Sequence, residues 1–231
     1  MLLRGSGPWL VVVGNCNDPA REEEFNRWYD SVHVPDVVGT PGVVNAQRYT
    51  CVHQRYGKGQ YLAVYELDTH DFKKLDEDLR AMREGEAARG QYTTLLSAPL
   101  NGIYAPIGAE QKSARAARST PKALLVVFAN CKDPARDAEF NRWYDTVHIP
   151  NVLQARGLLT ARRYTCVHQR HGKGQYLAIY ELDIEDAQQF ERDMQAMSKE
   201  EAARGQRTDL IEVAVSGVYR PLGKRQGRGG R

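Results

Sequence analysis

The chain has 231 residues and a net charge of +3, enough length to bury a core and suited to two modules of about 110 residues each. Four of its positive charges, Lys224, Arg225, Arg228 and Arg231, lie at the very end; the rest is close to neutral and shows neither the basic stripe nor the reading element of a nucleic-acid binder. The apolar run WLVVV at residues 9–13, like its counterpart at 123–128, is strand-sized and far short of the roughly 18 residues of a membrane helix. Cys16, Cys51, Cys131 and Cys166 show no CxxC spacing and follow no secretory leader, so reduced thiols in a soluble, cytoplasmic protein are expected.

The apolar, β-branched runs at 9–13 and 123–128 each lead into Asn-Cys and then Asp-Pro. They read as buried strands entering helices, with Asp18 and Asp133 as N-caps and with Pro19 and Pro134 at the first helical position, where a missing N–H costs nothing. The helix that follows carries EFNRWYDSVHVPD at residues 24–36, and the stretch returns as EFNRWYDTVHIPN at 139–151. The same offset of 115 residues relates Trp28 to Trp143, His33 to His148, Tyr49 to Tyr164 and Gly102 to Gly217, so the chain reads as two gapless copies of one module.

On this helix Phe25, Trp28, Tyr29 and Val32 form an apolar stripe, and Asn26, Tyr29, Asp30 and His33 form a second one about 100° around the axis. Pro35 disfavours helical geometry at Val34, which is expected to leave His33 in the last turn. Residues 43–55 and 158–170 then read as strands, YGKG and HGKG as hairpin turns, and QYLAVYEL and QYLAIYEL as the partner strands. Strict alternation places Tyr49, Cys51, His53 and Arg55 on one face, and likewise Tyr164, Cys166, His168 and Arg170.

A second helix begins near residue 69, with Phe72, Leu75, Leu79 and Met82 as its core stripe and Ala187, Phe190, Met194 and Met197 in the copy. It ends in EAARGQ, identical at 86–91 and 201–206 although the preceding helix differs between the copies. Last strands at about 94–104 and 209–219 close each module. Residues 1–108 thus form the first module, 109–121 a polar linker, 122–223 the second module and 224–231 a basic, mobile tail. The element order is βαββαβ twice, an α+β fold. One such module covers only one face of its antiparallel sheet with helices, and the second copy is expected to cover the other.

With this order and the signature FNRWYDxVHxP, the chain resembles the dimeric α/β-barrel superfamily, and within it the ferredoxin-like, EthD-like proteins, over nearly its whole length. The resemblance implies two tandem ferredoxin-like modules with their sheets face to face as a barrel and their helices outside, fused here into one chain. A monomer with an internal pseudo-dimer, or a homodimer, is expected. The resemblance also implies a small aromatic or oxygenated compound held between sheet and helices, with His33 and His148 at the place of the family's first-helix histidine. Members of the superfamily include cofactor-free monooxygenases, lactone isomerases, polyketide cyclases and haem-binding enzymes.

Imidazole exchanges a proton near neutral pH, so His33 and His148 lead the candidates for acid–base work, with Asp30 or Asn26, and Asp145 or Asn141, placed to orient the ring. The competing reading is a histidine interacting with the carbonyls of a helix C-terminus. Tyr49, His53 and Arg55, with Tyr164, His168 and Arg170, form a second cluster. On a pocket wall they would hold an anion and move a proton; inside the barrel they would join two sheets. Trp28, Trp143, Tyr29 and Tyr144 serve as core or as the wall for a planar substrate. EAARGQ either sets Arg89 and Arg204 over a pocket or caps the helix. No HExxH and no Cys-rich knot supports a metal. The reading that follows is a cofactor-independent lyase, isomerase or cyclase using histidine chemistry on a small metabolite; a cofactor-free monooxygenase, a haem-binding enzyme and a non-catalytic binding module are the alternatives.

Overall fold

The computed structural model describes residues 7–228. Eight strands, β1 (Trp9–Cys16), β2 (Val43–Tyr56), β3 (Tyr61–Leu67), β4 (Leu96–Lys112), β5 (Ala123–Cys131), β6 (Leu158–His171), β7 (Tyr176–Leu182) and β8 (Ile211–Gly227), close a barrel in the order β1-β3-β2-β8-β5-β7-β6-β4. Neighbouring strands are antiparallel, and the two halves meet at the seams β2 with β8 and β4 with β6. Closure leaves no edge strand with unpaired backbone groups.

The interior is filled by large side chains from both halves, among them Trp9, Tyr49, Tyr104, Phe128, Tyr164 and Tyr219. Trp9 packs its ring 4.7 Å from that of Tyr164 across the middle. Outside, one helical layer covers each half with its own apolar cluster. The long helices α3 (Phe72–Ala88) and α6 (Ala187–Ala203) bury Leu75 and Leu79, or Phe190 and Met194, on the expected stripe. Both start at an aspartate, Asp71 or Asp186, whose carboxylate accepts from the first free N–H groups.

The signature helix does not stop at His33. After a 3-10 turn at Pro19–Arg21 it runs as α1 (Glu22–Trp28), a π-turn (Tyr29–His33) and α2 (Val34–Gly39). Val34 N–H reaches back five residues to the Tyr29 carbonyl, the wider ring that defines the π-turn. The expectation from Pro35 fails because the helix absorbs the proline by widening instead of ending. The extra residue also shifts the buried face, so that Val34 and Val37 enter the core while Val32 is only partly covered. The second half repeats this with α4 (Asp137–Trp143), a π-turn (Tyr144–His148) and α5 (Ile149–Val152).

Two boundaries read from composition also shift. The expected linker at 109–121 is partly strand, because β4 continues to Lys112 by pairing Gln111 with Ala161 and Lys112 with Thr160. Beyond it, Arg115 Nη2 donates to the carbonyls of Leu153, Gln154 and Ala155 at 3.1, 3.1 and 2.7 Å. The expected mobile tail is strand as far as Gly227. Gln226 pairs with Ala46, and Arg225 bonds Glu66 at 2.7 Å. Residues 229–231 lie outside the described part. In both segments a polar, basic sequence gains a backbone ladder from the opposite half, which composition does not reveal.

Strict alternation along β2 and β6 breaks at a bulge. Cys51 faces Tyr219 and His53 faces Val218, so two steps on β2 match one on β8 and Val52 is the extra residue. Tyr49 and Cys51 therefore point into the barrel, whereas His53 and Arg55 turn out toward the helical layer of the second half. The same shift between Cys166 and His168 sends Arg170 to the helical layer of the first half. Gly102 and Gly217 make room at these crossings, since a Cβ there would stand 3.2 Å from Cys166 Sγ or 3.1 Å from Cys51 Sγ.

Candidate active site

Between sheet and helices of the first half lies a cavity of about 220 Å³. The π-turn sets its chemistry: with more residues per turn, positions five apart come nearly into line, and His33 stacks on Trp28 with ring centroids 4.8 Å apart. Tyr29 meets His33 edge-on at 5.0 Å. His33 Nδ1 is 2.9 Å from Glu86 Oε1, and Glu86 is 1% exposed. An ionised carboxylate only accepts, so it fixes the proton on Nδ1 and leaves Nε2 as the basic nitrogen.

Glu86 comes from the end of α3, where it extends the buried stripe Leu75, Leu79, Met82 by one further step. The chain past it turns through Arg89 to Gly90, which takes the left-handed conformation at φ +68°. Gly90 N–H bonds the Ala87 carbonyl at 3.0 Å and Gln91 N–H bonds the Glu86 carbonyl at 2.8 Å, a Schellman cap. The cap delivers the Gln91 carbonyl to Trp28 Nε1 at 2.6 Å. EAARGQ is thus the segment that supplies the carboxylate for His33 and anchors the indole stacked on it. Arg89 pairs with Asp36 on the surface and does not line the cavity.

Asn26 and Asp30 do not orient His33. They hold Arg48, 3% exposed, by bonds of 2.7 Å each, while its guanidinium lies 4.1 Å from the Tyr29 ring centroid. Arg163 does the same in the second half, with Asp145 at 2.9 Å, Asn141 at 2.6 Å and the Tyr144 ring at 4.3 Å. These residues stiffen the π-turn from behind. Tyr49 and Tyr164, expected as proton donors, sit inside the barrel, where burial pushes their pKa values far up; neither lines the cavity between sheet and helices of its half. His53 and His168 stand behind the arginines. His168 Nε2 is 2.5 Å from Asp76, and His53 is 4.0 Å from Glu191, on α3 and α6 respectively.

Arg170 does line the first cavity, delivered by the bulged end of β6 from the other half. Tyr29 and Tyr65 form its back wall, with Tyr65 donating to the Tyr29 hydroxyl at 3.4 Å; burial raises the pKa of both. Asn101 Oδ1, buried and lacking a donor among the described residues, also belongs to this wall.

The second half has the same plan with altered parts. Its cavity is about 130 Å³, narrowed by Val213 and Met194 where the first has Ala98 and Leu79. His148 Nδ1 is 3.6 Å from Glu201, too long for a hydrogen bond. Asn151, replacing Asp36, donates to Glu201 at 3.2 Å. Burial works against ionisation of Glu201, but His148 and Asn151 outweigh it and lower its pKa.

A dry cavity of roughly 150 Å³ holds a benzene ring, so the first cavity suits one substituted ring. It falls below the roughly 300 Å³ at which cofactor-sized sites begin. Among the described residues no group of three or more His, Cys, Asp or Glu could hold a metal ion, and no helix is long and apolar enough to cross a membrane.

No family model matches the sequence, and no curated protein matches it. Solved structures do. An anthrone oxidase-like protein superposes with a TM-score of 0.64 over 98% of this chain and 95% of its own, at 13% identity. The fold is the dimeric α/β barrel. A candidate monooxygenase from Fusobacterium nucleatum shares that barrel with a TM-score of 0.52 at 14% identity, covering 99% and 98% of the two chains. A chlorite dismutase from Candidatus Nitrospira defluvii reaches 0.53 at 12% identity, covering 96% and 93%. At these identities the likeness is one of architecture, and within the α/β barrel the chemistry must be argued from the cavity.

Proposed function

We propose that the chain is an enzyme that removes a proton from a small hydroxylated aromatic compound bound in the first cavity, and that the resulting anion is oxidised by dioxygen. The observation that carries this reading is the 2.9 Å contact of His33 with buried Glu86 at the wall of an aromatic cavity. The Nε2 lone pair of His33 takes the proton, the electron pair stays on the ring system, and Glu86 stabilises the imidazolium that forms. The anion then reduces dioxygen. Conversion of a phenol to a quinone in this way, in which the ring C–H opposite the hydroxyl becomes C=O, consumes one O2 and releases one water, and requires no cofactor. The names of the two neighbours, anthrone oxidase-like and candidate monooxygenase, favour oxygen as the acceptor. The two halves are read as tandem copies of one module, with the first as the working site because its dyad is closed.

The test is oxygen uptake with a panel of single-ring quinols and phenols. His33→Gln keeps the volume and loses the base, and should lower kcat by about 100-fold or more, as expected for loss of a general base. Glu86→Gln should lower it by about 10-fold or more through loss of orientation. His148→Gln should leave most of the activity. Full turnover by His33→Gln would remove the assignment. Isomerisation, cyclisation or cleavage would share the first step, and turnover that proceeds equally without oxygen would assign the chain to that class.

A further inference from the structure

We propose that Arg83 and Arg170 form an anion clamp in the first cavity and that the compound taken there is a small aromatic carboxylate bearing a hydroxyl group. This rests on reading the first cavity as the active site. Besides His33 and Glu86, which satisfy one another, the charged side chains lining it are Arg83 and Arg170. They come from opposite halves: Arg83 stands on α3 three residues before Glu86, and Arg170 arrives on the end of β6.

Arg170 Nε lies 2.7 Å from Asp76, and its side chain is 16% exposed. Asp76 also serves His168, so it holds Arg170 in place without matching both guanidinium charges. Arg83 has no ion pair among the described residues; its Nε donates to the Leu79 carbonyl at 3.3 Å. Burial first, and then the charge of Arg83, hold the Arg170 pKa below its ordinary value against the pull of Asp76. Arg83, exposed at the edge of the cavity, is therefore left without a carboxylate of its own, and with Arg170 it presents two guanidinium groups from opposite halves to the same space. A planar carboxylate matches the fork of a guanidinium, and the donorless Asn101 Oδ1 accepts from a ring hydroxyl. The second cavity departs from this pattern, with Ser198 in place of Arg83 and Arg207 in place of Tyr92.

Calorimetric titration with the hydroxybenzoate isomers and their neutral amides tests the clamp on the full-length protein. At least one hydroxybenzoate should bind more tightly than its amide, and Arg83→Gln should weaken the acid by about 10-fold while leaving the amide unchanged, the expected effect of losing one charge-assisted contact. Arg80→Gln removes an equally exposed charge from the same helix at a position that does not line the cavity, and should change binding by less than about two-fold. Acids that bind no better than amides, or equal effects of the two arginine changes, would overturn the proposal. His33→Gln separates the two readings, since it should still bind the acid. If that variant keeps turnover while Arg83→Gln loses binding, the base assignment falls and the clamp stands.

Discussion

A single buried carboxylate gives the signature histidine a defined tautomer. Glu86 could be found in the sequence, because Leu75, Leu79, Met82 and residue 86 follow one helical stripe and EAARGQ repeats unchanged where the helix around it drifts. The candidates chosen from the signature itself, Asn26 and Asp30, face the right side of the helix, but they serve Arg48. That arginine is the residue most easily missed, since nothing in an alternating strand marks one polar side chain as buried. Its removal is a stability matter. Arg48→Ala should cost about 3 kcal/mol, combining a lost cation–π contact and ion pair with a new cavity. Arg48→Met, which refills the volume, should cost clearly less in urea unfolding; equal losses would show that the ionic contacts and not the packing decide.

Two irregular elements shape the cavity. The π-turn aligns Trp28 with His33, and the cap at Gly90 places the Gln91 carbonyl on the indole. Gly90 adopts φ +68° and a Cβ there would meet nothing within 4 Å, so the strain of Gly90→Ala is purely conformational. That change should cost about 1 kcal/mol. Gly85, five residues earlier in the body of α3, offers the opposite sign: Gly85→Ala meets only the flexible Arg89 side chain at 3.3 Å and should stabilise the helix by up to about 1 kcal/mol. Thermal melts of the pair check both directions. The helices, hairpins and caps were legible from periodicity and from Asp, Pro and Gly placement. The π-turn and the bulges were not, because each is an extra residue that the sequence pattern absorbs without a visible break.

At the scale of the whole molecule the barrel interior is rich in tyrosine, and burial raises the pKa values of Tyr49, Tyr104, Tyr164 and Tyr219 well above 10. For an acid whose folded pKa is raised, the neutral form favours folding; the contribution is full below the unfolded value near 10 and is lost as pH rises through the folded one. Alkaline titration followed by tyrosinate absorbance should therefore show a steep step that coincides with loss of circular dichroism. A gradual rise with the fold intact would contradict the packed interior. The same interior joins the two halves, and each cavity borrows an arginine from the opposite half. Neither half alone supplies all the residues that line its cavity.

By itself the sequence determined the internal repeat, the βαββαβ order and the apolar stripes, all of which are encoded by neighbours within a few turns or strand positions. Only the tertiary structure decided which face of β2 and β6 meets which layer, how far β4 and β8 extend, and which carboxylate orients His33. Those outcomes depend on pairing between segments far apart in the chain. A bulge costs one residue locally, yet it redirects Arg170 to a cavity built by the other half, and no local pattern records that choice.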